Sequence, residues 1–544
     1  MSLGSFLLAR AARLPRRLNR DTRERGITIR TRDGVGLETE LFRPRPPGRY
    51  PTLLIRVPYG LRGIDRAAEI YAERGYNVVI QACRGTSKSE GTFDPLTHER
   101  DDGLDTLTWI KTQTWFDGRL GTTGASYLGY TQWAISDALP QHAAIAVKVT
   151  SAEFRTVVFP GGSFHLGLWL GWIQVMEGLR QGSGALLRGI TGGSIEKRSL
   201  KASMEVPLLD ADKRITGHEI PFWRKWLTES IGSDKFWRPL DHTHRLGMRT
   251  PPTSFVSGWY DFMLDQLLRD YETLAEANGH PYLTIGPWVH VSPQLQYEGM
   301  RDTYRWMNAK LKGDASGLRD KPVRLWIGGR NRWYDLDAYP PAAPDIELWH
   351  LHSGQTLTQK PPDASAPDTY RYDPADPTPS LGGAMFAFTG AGPLDQATLE
   401  SRSDVLVFTS GQLNADVSVI GSVRAIVHMR TSLSTTDLFV KLCDVDEKGV
   451  STNICDGIVR LGPADKAPAD GIRRINLKLH ATAHSFLRNH RIRLQVSSGA
   501  HPRFARNLGT DEPPGTATRM EVAEIEIFHD PAHPSAIHLP VYDL

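Results

Sequence analysis

The chain has 544 residues, more than one compact domain holds, so several domains are expected. Hydrophobic residues at 40% and charged residues at 23% are ordinary for a globular soluble protein. A net charge of +3 gives no basis for a nucleic-acid or acidic partner, and no apolar run nears the ~20 residues that cross a bilayer.

Residues 1–26 read as a basic arm, with Arg10, Arg13, Arg16, Arg17 and Arg20 after a short apolar stretch at Phe6–Leu8. A secretory signal carries its charges before the apolar stretch, so an amphipathic arm lying on its own protein is expected rather than a leader or a membrane helix. A cytoplasmic location follows as the expectation. Next, ITIRT and LETELF read as a hairpin turning at Asp33 and Gly34. Thr52–Val57 and Asn77–Ala82 are continuous apolar runs of buried-strand length, with a helix between them at Asp65–Arg74. A second helix spans His98–Lys111. A strand at Arg119–Gly124, a helix at Tyr127–Ala138 and a strand at Ala144–Thr150 follow. Strands alternating with helices imply an α/β domain with a mostly parallel sheet covered on both sides.

The rhythm breaks over 152–246, where aromatic, Gly-rich helical stretches such as Phe164–Leu179 replace strands. It resumes with a strand at Pro252–Ser257, a helix at Met263–Ala277, and strands at Pro281–Gly286 and Val323–Gly328. The catalytic α/β domain is therefore read as 27–151 plus 247–343, with 152–246 a helical cap inserted as a lid. A Pro-Ala cluster at Pro340–Pro344 marks the next boundary. Beyond it, 344–544 is a succession of short β-type segments that reads as a β-sandwich, a jelly roll. The Pro/Asp-rich stretch Pro361–Pro379 reads as a surface loop. Of the three cysteines, Cys443 and Cys455 could face each other across a hairpin, but with Cys83 odd, reduced buried thiols are expected.

Three motifs carry chemistry. GASYLG (Gly124–Gly129) sets Ser126 between a strand and a helix, a turn that points a hydroxyl out of the core; the same serine could equally cap the helix. It departs from the common G-x-S-x-G elbow, because Leu128 holds the position where the second glycine is usual. GWYDFM sets Asp261 after a strand, where it could also cap the next helix, and GPWVH sets His290 after another. Ser, then Asp, then His, each beyond a strand, is the order of an α/β-hydrolase triad. A serine hydroxyl needs a base to become a nucleophile, an imidazole with its ordinary pKa near ~6.5 can serve, and a carboxylate fixes its tautomer. No zinc-ligand spacing, P-loop or dinucleotide fingerprint occurs, so no metal and no cofactor are expected.

These motifs, together with RVPYG (Arg56–Gly60), RGTSKSEG (Arg84–Gly91), HRIRLQVSS and PRFARN (Pro502–Asn507), resemble the cocaine esterase-like family of serine hydrolases, which includes X-prolyl dipeptidyl peptidases and α-amino acid ester hydrolases. The resemblance implies Ser126 as nucleophile, Asp261 as orienter and His290 as base. It also implies an oxyanion hole from the Tyr59 hydroxyl and the Tyr127 backbone N–H, and it agrees with the three-part organisation above. Two departures stand out. Phe262, Met263 and Leu264 occupy positions where the amino-ester hydrolases carry acids that hold a substrate ammonium, and Asp265 farther along reads as exposed. Ala82 stands where relatives often have Asp. Trp169, Trp172 and Phe262, with Trp259 and Trp288, are candidates for an apolar substrate wall or, for the two cap tryptophans, for core packing. The expected function is hydrolysis of a small-molecule ester or amide with an apolar acyl group through an acyl-enzyme. An X-Pro dipeptidyl peptidase, an acyltransferase and a non-catalytic binding protein are the alternatives.

Overall fold

The apolar runs of the first half form the strands expected of them. In the computed structural model, which describes residues 3–181, 194–247, 249–277, 279–463, 465 and 467–544, ten strands build one sheet: β1 (Arg20–Arg30), β2 (Gly36–Arg45), β3 (Tyr50–Val57), β4 (Asn77–Ala82), β5 (Phe116–Ala125), β6 (Ala143–Lys148), β7 (Thr253–Tyr260), β8 (Tyr282–Val289), β9 (Val323–Ile327) and β10 (Arg332–Leu336). Their order is β1-β2-β4-β3-β5-β6-β7-β8-β9-β10. Neighbours from β4 to β9 run parallel, while β1, β2 and β10 close the edges antiparallel. Every residue of β4 and β6 is buried, as a strand covered on both faces requires.

Alternate residues of β3 show how the faces are covered. Leu53 and Ile55 pack with Tyr71, Trp306 and Leu311 from the helices Ile64–Ala72 and Pro293–Lys312, whereas Leu54 packs with Leu107 and Ile110 from the helix Glu99–Lys111. The helix Leu264–Glu276 buries Leu264, Leu267, Leu268, Tyr271 and Leu274, one stripe at helical spacing. Pro293 opens the long helix and Gly313, with φ of 77°, ends it.

β6 and β7 are adjacent in the sheet, yet residues 149–252 separate them in sequence. Every described element of that insertion is helical. Its Trp169, Trp172, Trp223, Trp226 and Trp237 form an aromatic cluster with Tyr127, Phe262 and Met263 from loops at the C-terminal ends of the strands, which seats the insertion on that edge.

From Asp345 onward, eleven strands hydrogen-bond into a second sheet, antiparallel except where Thr356–Thr358 meets Leu406–Ser410. It encloses its own apolar cluster. The two units are stitched together at the end of β9, where the Gly328 N–H donates to the Ala483 carbonyl and the Gly328 carbonyl accepts from the Ser485 N–H, each at 2.9 Å.

Several expectations need correction. β1 begins at Arg20, inside the stretch read as an arm; only the helix Leu3–Ala11 and a short lead remain, and that helix lies on Ile64–Ala72 with Ala9 and Ala12 buried. The helix after Ser126 stops at Trp133 and resumes as a 3-10 turn at Ser136–Ala138. Pro361–Pro379 contains a strand, Asp368–Tyr372, whose alternating Tyr370 and Tyr372 are buried. Asp265 is half-buried and accepts the Ala481 N–H of the second unit at 3.0 Å. Cys455 lies opposite Leu442 and Cys443 opposite Asn453, so the two are out of register, and all three cysteines are free and buried. No described helix is long and apolar enough to cross a membrane.

Candidate active site

Ser126 sits between β5 and the helix Tyr127–Trp133 with φ of 60° and ψ of −124°. A non-glycine residue there is strained, and such strain is held at an elbow whose side chain must stand clear of the core. The surroundings hold it firmly. Its N–H donates to the Lys148 carbonyl at 2.9 Å, and its carbonyl accepts from the Thr150 hydroxyl at 2.7 Å and the Gly129 N–H at 2.8 Å. A β-carbon on Gly124 would lie 2.3 Å from Leu128, and one on Gly129 would lie 2.4 Å from Thr150. The displaced second glycine of the motif therefore clears a path for the neighbouring strand end. Ser126 occupies the cap position but makes no side-chain cap bond, which leaves the hydroxyl available.

Asp261 follows β7 and is fully buried. Its Oδ1 accepts from His290 Nδ1 at 2.7 Å and from the Met263 N–H at 3.2 Å, and its Oδ2 accepts from the Ser257 hydroxyl at 2.9 Å. Asp261 thus holds the imidazole and steadies the turn before the helix Leu264–Glu276, whose cap position is Met263 and which has no side-chain cap bond. His290 follows β8, and the Phe262 ring stacks on it at 4.3 Å.

The Tyr59 hydroxyl, beyond β3, lies beside Ser126 and accepts from Trp172 Nε1 at 3.1 Å. Burial pushes its phenol pKa up to about 12. The Tyr127 side chain turns away into the core. Its hydroxyl donates to Glu99 Oε1 at 2.9 Å and accepts the Leu96 N–H at 2.8 Å. Its backbone N–H, at the first position of the helix, has no partner among the described residues. Arg56 of the RVPYG stretch pairs with Glu99 at 2.8 Å, and Arg84 of RGTSKSEG pairs with Asp102 at 2.6 Å. Those two motifs therefore brace the helix that positions Tyr127.

Ser126, His290, Tyr59 and Tyr127 line one cavity of about 540 Å³. Trp169, Trp172 and Phe262 line it too, and all three also belong to the buried aromatic cluster. Trp259 lies elsewhere, its Nε1 donating to the Trp326 carbonyl at 2.7 Å. Trp288 packs with Val149, Val256 and Leu295. No Asp or Glu is among the described lining residues; the cations are Arg62 and Lys148.

The X-Pro dipeptidyl-peptidase (S15 family) model matches residues 33–292, and that of the X-Pro dipeptidyl-peptidase C-terminal non-catalytic domain matches residues 316–538. Cocaine esterase of Rhodococcus sp. (strain MB1 Bresler) is 31% identical, over 95% of this chain and 98% of its own. The chain belongs to the cocaine esterase-like, S15-type family of serine hydrolases. Two solved structures share its fold. An aminopeptidase from a marine sediment Thaumarchaeota archaeon matches with a TM-score of 0.79 at 23% identity, over 97% of each chain. An α-amino acid ester hydrolase matches with a TM-score of 0.79 at 22% identity, over 96% of this chain and 97% of the other.

Among the residues lining the cavity of this S15-type hydrolase, sequence reasoning missed Lys148, Phe386 and Phe388. Lys148 lies at the end of β6 and lines the cavity; a lysine inside the apolar run AIAVKVT is the mark that singles it out. Phe386 and Phe388 enter from the C-terminal unit, and nothing local in their sequence announces it.

Proposed function

We propose that this serine hydrolase cleaves carboxylic esters through an acyl-enzyme on Ser126. His290 takes the serine proton on Nε2 and returns it to the leaving alcohol. Asp261, accepting from Nδ1, keeps that tautomer and stabilises the imidazolium. The Tyr59 hydroxyl and the Tyr127 N–H receive the oxyanion; the phenol stays protonated and the N–H lies at a helix N-terminus, so both are fixed donors. Water then enters, and His290 acts as base for the second half.

The observation that carries this reading is the 2.7 Å contact of His290 with buried Asp261, on a cavity that Ser126 and Tyr59 share. Ser126→Ala is expected to lower kcat on the order of 10⁴–10⁶-fold and to abolish labelling by a fluorophosphonate, with the melting temperature kept. Normal turnover in that variant overturns the mechanism.

The helical insertion serves in this reading as the cap. Its support is the aromatic cluster closing over the strand ends. The cavity's walls, mostly aromatic and aliphatic, favour an apolar acyl group. Absence of any lining carboxylate among the described residues disfavours substrates with a free ammonium, and with them the exopeptidase alternative. The C-terminal unit is read as a jelly roll, supported by its largely antiparallel strands around a large apolar cluster. A cytoplasmic setting fits its three reduced thiols.

A further inference from the structure

Lys148 is an anomaly in this cavity. Its side chain is only 8% exposed. Its Nζ donates to the Thr123 hydroxyl at 2.9 Å and the Thr303 hydroxyl at 3.0 Å, which uses two of three N–H groups. It has no ion pair among the described residues. Asp302, the acid that acts on it electrostatically, is engaged by the Ser254 hydroxyl and by the field of Arg319. Burial pulls the ammonium pKa down to about 8, against the opposing field of Asp302. A buried amine left this way is costly unless something supplies the missing anion.

The cavity can supply it. The cavity that Ser126 and Lys148 both line has an apolar arm in Ile55, Ala67 and Met300. His290 must reach the leaving oxygen, so the leaving group lies beside His290, Phe262 and Phe386, and the acyl chain takes the other arm. Thr123, which anchors the Lys148 Nζ, is three residues before Ser126 on β5 and its continuation, about 10 Å away at the rise of a strand.

We propose that Lys148 is a specificity-determining residue that binds the far carboxylate of an acyl chain, making half-esters of medium-length dicarboxylic acids, adipate to suberate in length, the preferred substrate class. This rests on the ester-hydrolase reading above. The apolar arm holds the methylenes, and the third N–H of Lys148 meets the carboxylate.

The test compares the 4-nitrophenyl monoester of suberic acid with its neutral isostere, methyl 4-nitrophenyl suberate, on the wild type and on Lys148→Met. The wild type is expected to favour the anionic ester at least tenfold in kcat/KM. In Lys148→Met the anionic-to-neutral ratio should fall at least tenfold, through KM. No anionic preference in the wild type, or an equal loss on both esters in the variant, overturns the proposal. Calorimetric titration of Ser126→Ala, which keeps Lys148 but lacks the nucleophile, with suberate and with dimethyl suberate decides the matter without turnover. Suberate should bind at least tenfold tighter, and equal binding sinks the idea even if Lys148→Met fails to fold. Failure of the parent reading looks different: neither ester would be cleaved, or cleavage would survive Ser126→Ala.

Discussion

Tyr59 gives the sharpest residue-scale expectation. A phenol pushed up to about 12 keeps its proton at neutral pH, so in the proposed mechanism it is available to donate. Removing one oxyanion donor costs on the order of 10²–10³ in rate. Tyr59→Phe should therefore lower kcat by that factor with little change in KM, measured on a neutral aryl ester. Unchanged kcat would take Tyr59 out of the mechanism. At this scale Ser126, Asp261 and His290 were legible because each follows an apolar run that could only be a strand, and strand ends are where such sheets gather polar groups. Lys148 was hidden inside one of those runs, its charge outvoted by the pattern around it. Asp265 was misread as exposed because the helix pattern shows only the inner face, and the partner that covers the outer one lies more than 200 residues away, at Ala481.

Among the elements, the junction of insertion and sheet is set by one buried carboxyl. Asp270, on the helix Leu264–Glu276, accepts the Ala152 N–H at 2.8 Å where the insertion begins. Burial raises its pKa to about 8. The folded carboxyl then keeps its proton up to about pH 8, whereas an unfolded one releases it near ~3.9. The folded state binds the extra proton between those values, so this group makes stability fall as pH rises through that window, by up to about 1.4 kcal/mol per pH unit. Asp270→Asn keeps an acceptor for Ala152 and removes the titration. Its stability relative to the wild type, from urea unfolding at pH 5 and pH 8, should be greater at pH 8. A difference independent of pH would contradict the assignment. The strand-helix alternation of the first sheet was legible because its strands are buried on both faces. β10 was not, since its residues are half-buried or exposed and carry no apolar run. The strand Asp368–Tyr372 was masked by flanking prolines that read as loop. The helix after Ser126 was drawn too long because apolar spacing continues past Trp133 into a turn.

Across the whole molecule, the unit whose family description is non-catalytic reaches into the cavity. Phe386 sits 6.2 Å from His290, edge-on, and at the same distance from Phe262. Phe386→Ala removes an apolar wall worth about 1–3 kcal/mol of discrimination, so kcat/KM for a hydrophobic ester should fall about tenfold or more. The decrease should come mainly from KM, while Ser126 still labels with a fluorophosphonate. An unaltered KM would place the ring outside the substrate's reach. The sequence allowed two units to be separated at Pro340–Pro344, but not their cooperation, because that depends on how the Gly328 stitch orients one sheet against the other.

That borrowed wall also orders events during synthesis. Ser126, Asp261 and His290 have all been translated by residue 290, but the Phe386 ring that packs edge-on against His290 arrives nearly a hundred codons later and is anchored by strands later still. On a nascent chain these three side chains therefore emerge ahead of the ring that covers His290.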